Sequence, residues 1–221
     1  SWTFYSYQPS GARRLVNSPE RSCRIHTYGN SYTHCDQVSD GESWQEYLAA
    51  HLQEPLANFG VGGYSVYQAY RRMLKVESET PAEYVILNIW DDDHYRNLDA
   101  WRSIRARRRG RFTLPHLRVD LQSGSCIERD NPCLAPEAVY RLCDLDWVWA
   151  NFGEDPILRG VLNADAEAAS RAPHEQGLTA SPAAAASHGQ HANAGADARV
   201  YQLYTEEALY ATKHVVSLAE R

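Results

Sequence analysis

Between residues 24 and 89 the chain alternates short apolar runs with amphipathic stretches, and this alternation constrains the fold more than any other feature. Arg24 to Tyr28 reads as a strand. Ser43 stands where it can cap a helix whose Trp44, Tyr47, Leu48 and Leu52 recur at helical spacing. Pro55 breaks that helix, and Leu56 to Phe59 reads as a second strand. Gly60, Gly62 and Gly63 make a turn, after which Ser65 can cap a helix with Val66, Ala69, Tyr70, Met73 and Leu74 facing inward. Tyr84-Val-Ile-Leu-Asn-Ile89 is continuously apolar, the pattern of a strand covered on both faces. Strand, helix, strand, helix, strand with short connections predicts an α/β fold built on a parallel, doubly wound sheet.

The pattern changes after Trp90. Arg102 to Arg111 carries six arginines in ten residues, which reads as a solvated charged face. Phe112 to Leu121 alternates in part, suggesting a hairpin or an irregular excursion, and Trp147, Trp149 and Phe152 fall partly at helical spacing. The stretch 164–199 is rich in Ala, Ser, Gly and His, a composition that buries little and predicts a surface loop or linker. Thr205 can then cap a final helix to about Leu218, with Leu209, Thr212, Val216 and Ala219 toward one face. The expected organisation is one domain over residues 1–221, with an irregular insertion at about 96–163 and a loop or linker at about 164–199.

Composition narrows the function classes. A chain of 221 residues with 43% hydrophobic and 23% charged residues is ordinary for a globular domain. A net charge of -6 and a pI near 5.8 argue against a general nucleic-acid binder. No apolar run approaches the roughly 18 residues of a membrane-spanning helix. No leader precedes Ser1, so a signal peptide is expected to be absent or removed, and the compartment stays open. Of five cysteines, Cys126 and Cys133 bracket a Pro-containing loop and could pair; five reduced thiols fit equally well.

Three loops follow the three predicted strands: Gly29-Asn30-Ser31-Tyr32-Thr33, Asn58-Phe-Gly60-Val-Gly62-Gly63, and Trp90-Asp91-Asp92-Asp93-His94. Parallel neighbours present their carboxyl ends side by side, so these loops should meet at one cleft, where open α/β sheets bind ligands. A serine on a tight strand-to-helix turn there can attack a substrate, and glycines let backbone N–H groups approach a developing oxyanion.

In order, spacing and placement these segments resemble the SGNH, or GDSL-type, hydrolase superfamily over residues 22–97. That family carries its serine on a Gly-Asp-Ser turn, then a glycine loop, a Gly-x-Asn-Asp loop and a C-terminal Asp-x-x-His pair. The resemblance implies a flavodoxin-like sheet and a serine ester hydrolase acting through an acyl-enzyme. Ser31 would be the nucleophile, and the oxyanion hole would fall to Ser31, Gly63 and the Asp92 position, with Asp93 matching the aspartate that follows. No cofactor and no metal are implied. The substrate would be a small-molecule ester, with acylated carbohydrates and lipids among the candidates. An O-acyltransferase or a non-catalytic binding domain on the same fold are the alternatives.

The chain departs from the family pattern. Asn30 replaces the aspartate before the serine, and Trp90 replaces a glycine. Asp92 replaces the oxyanion-hole asparagine, and an ionised carboxylate accepts hydrogen bonds but donates none. No Asp-x-x-His appears near the C-terminus: His214 follows Ala211, Thr212 and Lys213, while His188 and His191 lie in the Ala-rich stretch. The catalytic His–Asp pair is therefore unassigned. With the fourth and fifth strands also unrecognised, the reading expects two further strands and a histidine loop beyond the final helix. His34, three residues past Ser31, and His26 read as structural or substrate-contacting groups rather than as the base. A metal at Asp91–His94 is the minority reading, since hard cations accept clustered carboxylates.

Overall fold

The computed structural model describes residues 2–102, 113–159 and 205–220. Most of the arginine run and the whole Ala-rich stretch, with His188 and His191, lie outside the described residues. The chain divides into two compact units, Ser1–Asn97 with Thr212–Arg221, and Leu98–Ala211.

The first unit is α/β. Its three-stranded sheet runs β1 (Ile25–Tyr28), β2 (Leu56–Asn58) and β3 (Tyr84–Leu87), in the order β2-β1-β3, with both pairings parallel. Register sets Ile25 beside Leu56 and Tyr84. Every residue of β1 is buried, as a central strand requires. Ile25, Ala49 and Leu56 form an apolar cluster with Leu48 packed against it, and Tyr28 stacks on Phe59 at 5.3 Å between ring centroids.

Helices sit where the pattern predicts, but some present other faces. In α2 (Trp44–Leu52) the buried residues are Gln45, Glu46 and Ala49, whereas Tyr47 and Leu52, expected inside, are exposed. Two polar residues go inward because each finds partners. Gln45 Nε2 donates to Thr27 Oγ1 and to the Thr33 carbonyl, at 3.2 and 2.8 Å. The Glu46 carboxylate accepts the backbone N–H of Val16 and Asn17, at 3.1 and 2.8 Å. Buried polar groups tolerate an interior only when so satisfied. Ser43 occupies the N-cap position of α2 without a side-chain capping bond. In α3 (Val66–Glu79), Ser65 and Gln68 close a full capping box, and Val66, Ala69, Tyr70 and Met73 are buried while Leu74 is exposed.

Two expectations change more. The apolar run at 84–89 does make β3, but Tyr84, Val85 and Ile86 are exposed. Pairing with β1 occupies one edge of β3, and among the described residues no strand pairs with the other. The segment after Trp90 forms a helix, α4 (Asp91–Arg96), not a loop. Three aspartates in its first turn favour this, because carboxylates suit the positive end of a helix. A four-residue helix, α1 (Ser31–His34), opens directly at the candidate serine.

The second unit holds the antiparallel hairpin β4 (His116–Asp120) and β5 (Ser125–Arg129), followed by a 3-10 segment (Pro136–Cys143) and α5 (Leu145–Phe152). Among the described residues of the partly alternating stretch only His116–Asp120 is strand, paired in this hairpin. The last helix, α6 (Thr205–Ala219), buries Ala208, Ala211, Thr212 and Val215 and leaves Leu209 exposed, a face rotated from the expected one. All five cysteines are free, so Cys126 and Cys133 do not pair. Among the described residues no helix is long and apolar enough to cross a membrane.

Candidate functional site

Ser31 is the first residue of α1, at the carboxyl end of the central strand. It is half-buried, and its hydroxyl makes no hydrogen bond to any described residue. The turn that carries it is held from below. Asn30, fully buried, caps α1 by accepting the Tyr32 N–H at 2.8 Å, and its Nδ2 donates to Asp93 at 2.6 Å. Asp93 also accepts the Trp90 N–H at 2.9 Å and an Arg96 Nη1–H at 2.8 Å. Burial pushes the Asp93 carboxyl above its usual range, against the opposing pull of Asn30 and Arg96. One side-chain bond, Asn30 to Asp93, thus ties the loop after β1 to the segment after β3.

The loop after β2 reaches the same edge through its backbone. The Val61 N–H donates to the Gly29 carbonyl at 3.0 Å, and the Gly60 N–H donates to Asn58 Oδ1 at 3.0 Å. A Cβ on Gly60 would lie 2.3 Å from the His34 nitrogen and 2.7 Å from the Thr33 carbonyl carbon, so only glycine fits between this loop and α1. Gly63 has φ of 84°, the left-handed region that favours glycine. Residues from all three loops therefore converge around the ends of β1, β2 and β3.

Asp92 is engaged differently. Its buried carboxylate accepts the Arg96 Nε–H at 2.6 Å, so at this position the chain presents an acceptor bound to a cation. Arg96 serves both aspartates from one turn later on α4, at spacings of three and four residues. Its role was readable only once 91–96 was known to be helical. At the rim, Tyr32 and Trp90 meet with ring centroids 4.9 Å apart.

The histidines have other partners. The His34 ring is buried; its Nε2 lies 2.7 Å from the Tyr7 hydroxyl, and its Nδ1 closely approaches the Asp36 carboxylate, out of line for a hydrogen bond. His26 Nδ1 meets Glu77 at 2.8 Å, and the Tyr28 hydroxyl donates to the same carboxylate oxygen at 2.5 Å. His94 Nδ1 contacts Thr212 Oγ1 at 2.8 Å. Among the described residues no imidazole is hydrogen-bonded to Ser31. The carboxylates after Trp90 do not gather around a cation site, because Asp91 is exposed while Asp92 and Asp93 both turn to Arg96.

A second organiser carries no sequence signal. Arg13 is 3% exposed and donates to the carbonyls of His34, Cys35 and Val38, at 2.6, 2.9 and 3.1 Å. It also pairs with Asp40 at 3.1 Å, so the N-terminal segment clamps the chain leaving α1. Comparisons with models of protein families, with curated proteins and with solved structures find no match.

Proposed function

We propose that this chain is a serine ester hydrolase of the SGNH type, with Ser31 as its nucleophile and a flavodoxin-like sheet as its scaffold. One observation carries the reading: a serine hydroxyl without a partner among the described residues opens a helix at the carboxyl end of the central parallel strand, on a turn held by Asn30 and Asp93. In the reaction Ser31 Oγ would attack the ester carbonyl carbon while its proton passes to a base. The tetrahedral oxyanion would be held by the backbone N–H groups of Ser31 and Gly63. Collapse would release the alcohol, and water would hydrolyse the acyl-enzyme, with no cofactor. Asp92, bound to Arg96, supplies no donor to that hole in this arrangement. A missing donor of this kind costs about 3 to 4 kcal/mol of transition-state stabilisation.

A non-catalytic binding domain is the second reading, favoured by the lack of an imidazole on Ser31 among the described residues and by the acceptor character of Asp92. A fluorophosphonate probe separates the two. An esterase is labelled at Ser31, and Ser31→Ala abolishes both labelling and hydrolysis of a short-chain p-nitrophenyl ester. A folded protein that takes up no label and turns over no ester is the binding domain.

A further inference from the structure

A cleft of about 440 Å³ in the first unit, lined by Tyr5, Tyr7, His34, Asp36, Gly62 and Arg72 among others, plays no part in the chemistry proposed for Ser31. Its walls differ in sign. Arg72 supplies the positive charge. Its Nη2 donates to the Gly11 carbonyl at 2.8 Å, and its guanidinium lies 5.7 Å from the Phe59 ring centroid. Its Nε is buried without a partner, and no described carboxylate pairs with it. A planar cation with unspent donors is built for an oxyanion.

Two acceptors line the same cleft. Burial lowers the proton affinity of the His34 imidazole against the opposing pull of Asp36, so the ring is neutral near pH 7 and carries one N–H. The Asp36 charge beside Nδ1 favours that hydrogen there, which leaves Nε2 to accept the Tyr7 O–H. Tyr7 therefore spends its only donor on His34 and offers oxygen lone pairs outward. The Asp36 carboxylate, its side chain 44% exposed, is the second acceptor. Gly62 leaves room for it, since a Cβ there would come within 2.9 Å of Asp36 Oδ2.

A net anion would meet Asp36, and a net cation would meet Arg72. A zwitterion satisfies both, with its carboxylate on the guanidinium and its ammonium between Tyr7 and Asp36. Tyr5 and Tyr7 add aromatic surface beside it. We propose that this cleft binds a 2-amino carboxylate with an aromatic side chain, held by Arg72 at one end and by Tyr7 and Asp36 at the other. The site is independent of catalysis at Ser31.

Isothermal titration of the whole chain with L-phenylalanine, 3-phenylpropionate and 2-phenylethylamine tests this. L-phenylalanine is expected to bind, with each truncated analogue at least tenfold weaker. Asp36→Asn should weaken L-phenylalanine and 2-phenylethylamine, and should tighten 3-phenylpropionate by removing the charge that repels it. Arg72→Met should do the reverse; if circular dichroism shows it unfolded, Arg72→Lys should weaken the two carboxylates several-fold. No binding of L-phenylalanine, equal binding of all three compounds, or an Asp36→Asn effect shared equally by all three overturns the proposal.

Discussion

Asn30 carries more of the local architecture than the serine beside it. Its side chain caps α1 through the Tyr32 N–H and satisfies Asp93 beneath the turn. Asn30→Ala removes a cap and leaves a buried carboxylate short of a donor, so unfolding in urea should show a loss of about 2 to 3 kcal/mol. Any fluorophosphonate reactivity of Ser31 should fall as well, because the turn that aims its hydroxyl loses its support. Gly29-Asn30-Ser31 was readable as a functional turn from residue types alone. The partner of Asn30 was not, because Asp93 lies 63 positions away in the sequence.

Elements were readable wherever periodicity and punctuation agreed. Ser65 announces the start of α3, and Val66, Ala69, Tyr70 and Met73 recur at helical spacing and are buried, while Leu74 is not. In α2 the same reasoning was right for Leu48, which packs against the core, and wrong for Tyr47 and Leu52, which are exposed. Apolar pattern favoured Trp44, Tyr47, Leu48 and Leu52, yet hydrogen bonding drew Gln45 and Glu46 inward. Glu46→Ala should therefore cost about 2 kcal/mol, since two backbone donors lose their buried acceptor. Amide hydrogen exchange localises the effect: protection at Val16 and Asn17 should fall more than protection within α3. Substitution of the exposed Tyr47 by Ala should leave stability within about 0.5 kcal/mol.

At the scale of the molecule, each unit has its own signature. In the first, β3 carries exposed Tyr84, Val85 and Ile86 beside an edge with no described partner. Apolar residues on an open edge invite pairing between copies. Val85→Lys should lower the concentration-dependent association seen by light scattering without shifting the thermal midpoint downward by more than about 2 °C. In the second unit, burial, with the Arg118 guanidinium second, pushes His116 down to about 4. Because the folded value lies below the unfolded one of about 6.5, the unfolded state binds the extra proton between them. Stability from this group is thus complete above about pH 6.5 and lost as pH falls toward about 4, by about 3 kcal/mol in all. Comparing His116→Gln with the parent at pH 7 and pH 4.5 checks the sign: the variant should lose less stability on acidification.

From the sequence alone follow the parallel strand–helix alternation, the glycines of the second loop and the serine at the end of β1. Local propensity, periodicity and turn chemistry suffice for these, since each depends on residues close along the chain. The tertiary structure alone decided which face of α2 is buried, that β3 stands exposed, and that 91–96 winds into a helix bringing Arg96 onto two aspartates. It also supplied Tyr7 and Asp36 as the partners of His34. The burial of Gln45 and Glu46 and the Tyr7–His34 contact turn on which distant donor meets which buried acceptor, and no local pattern encodes that pairing.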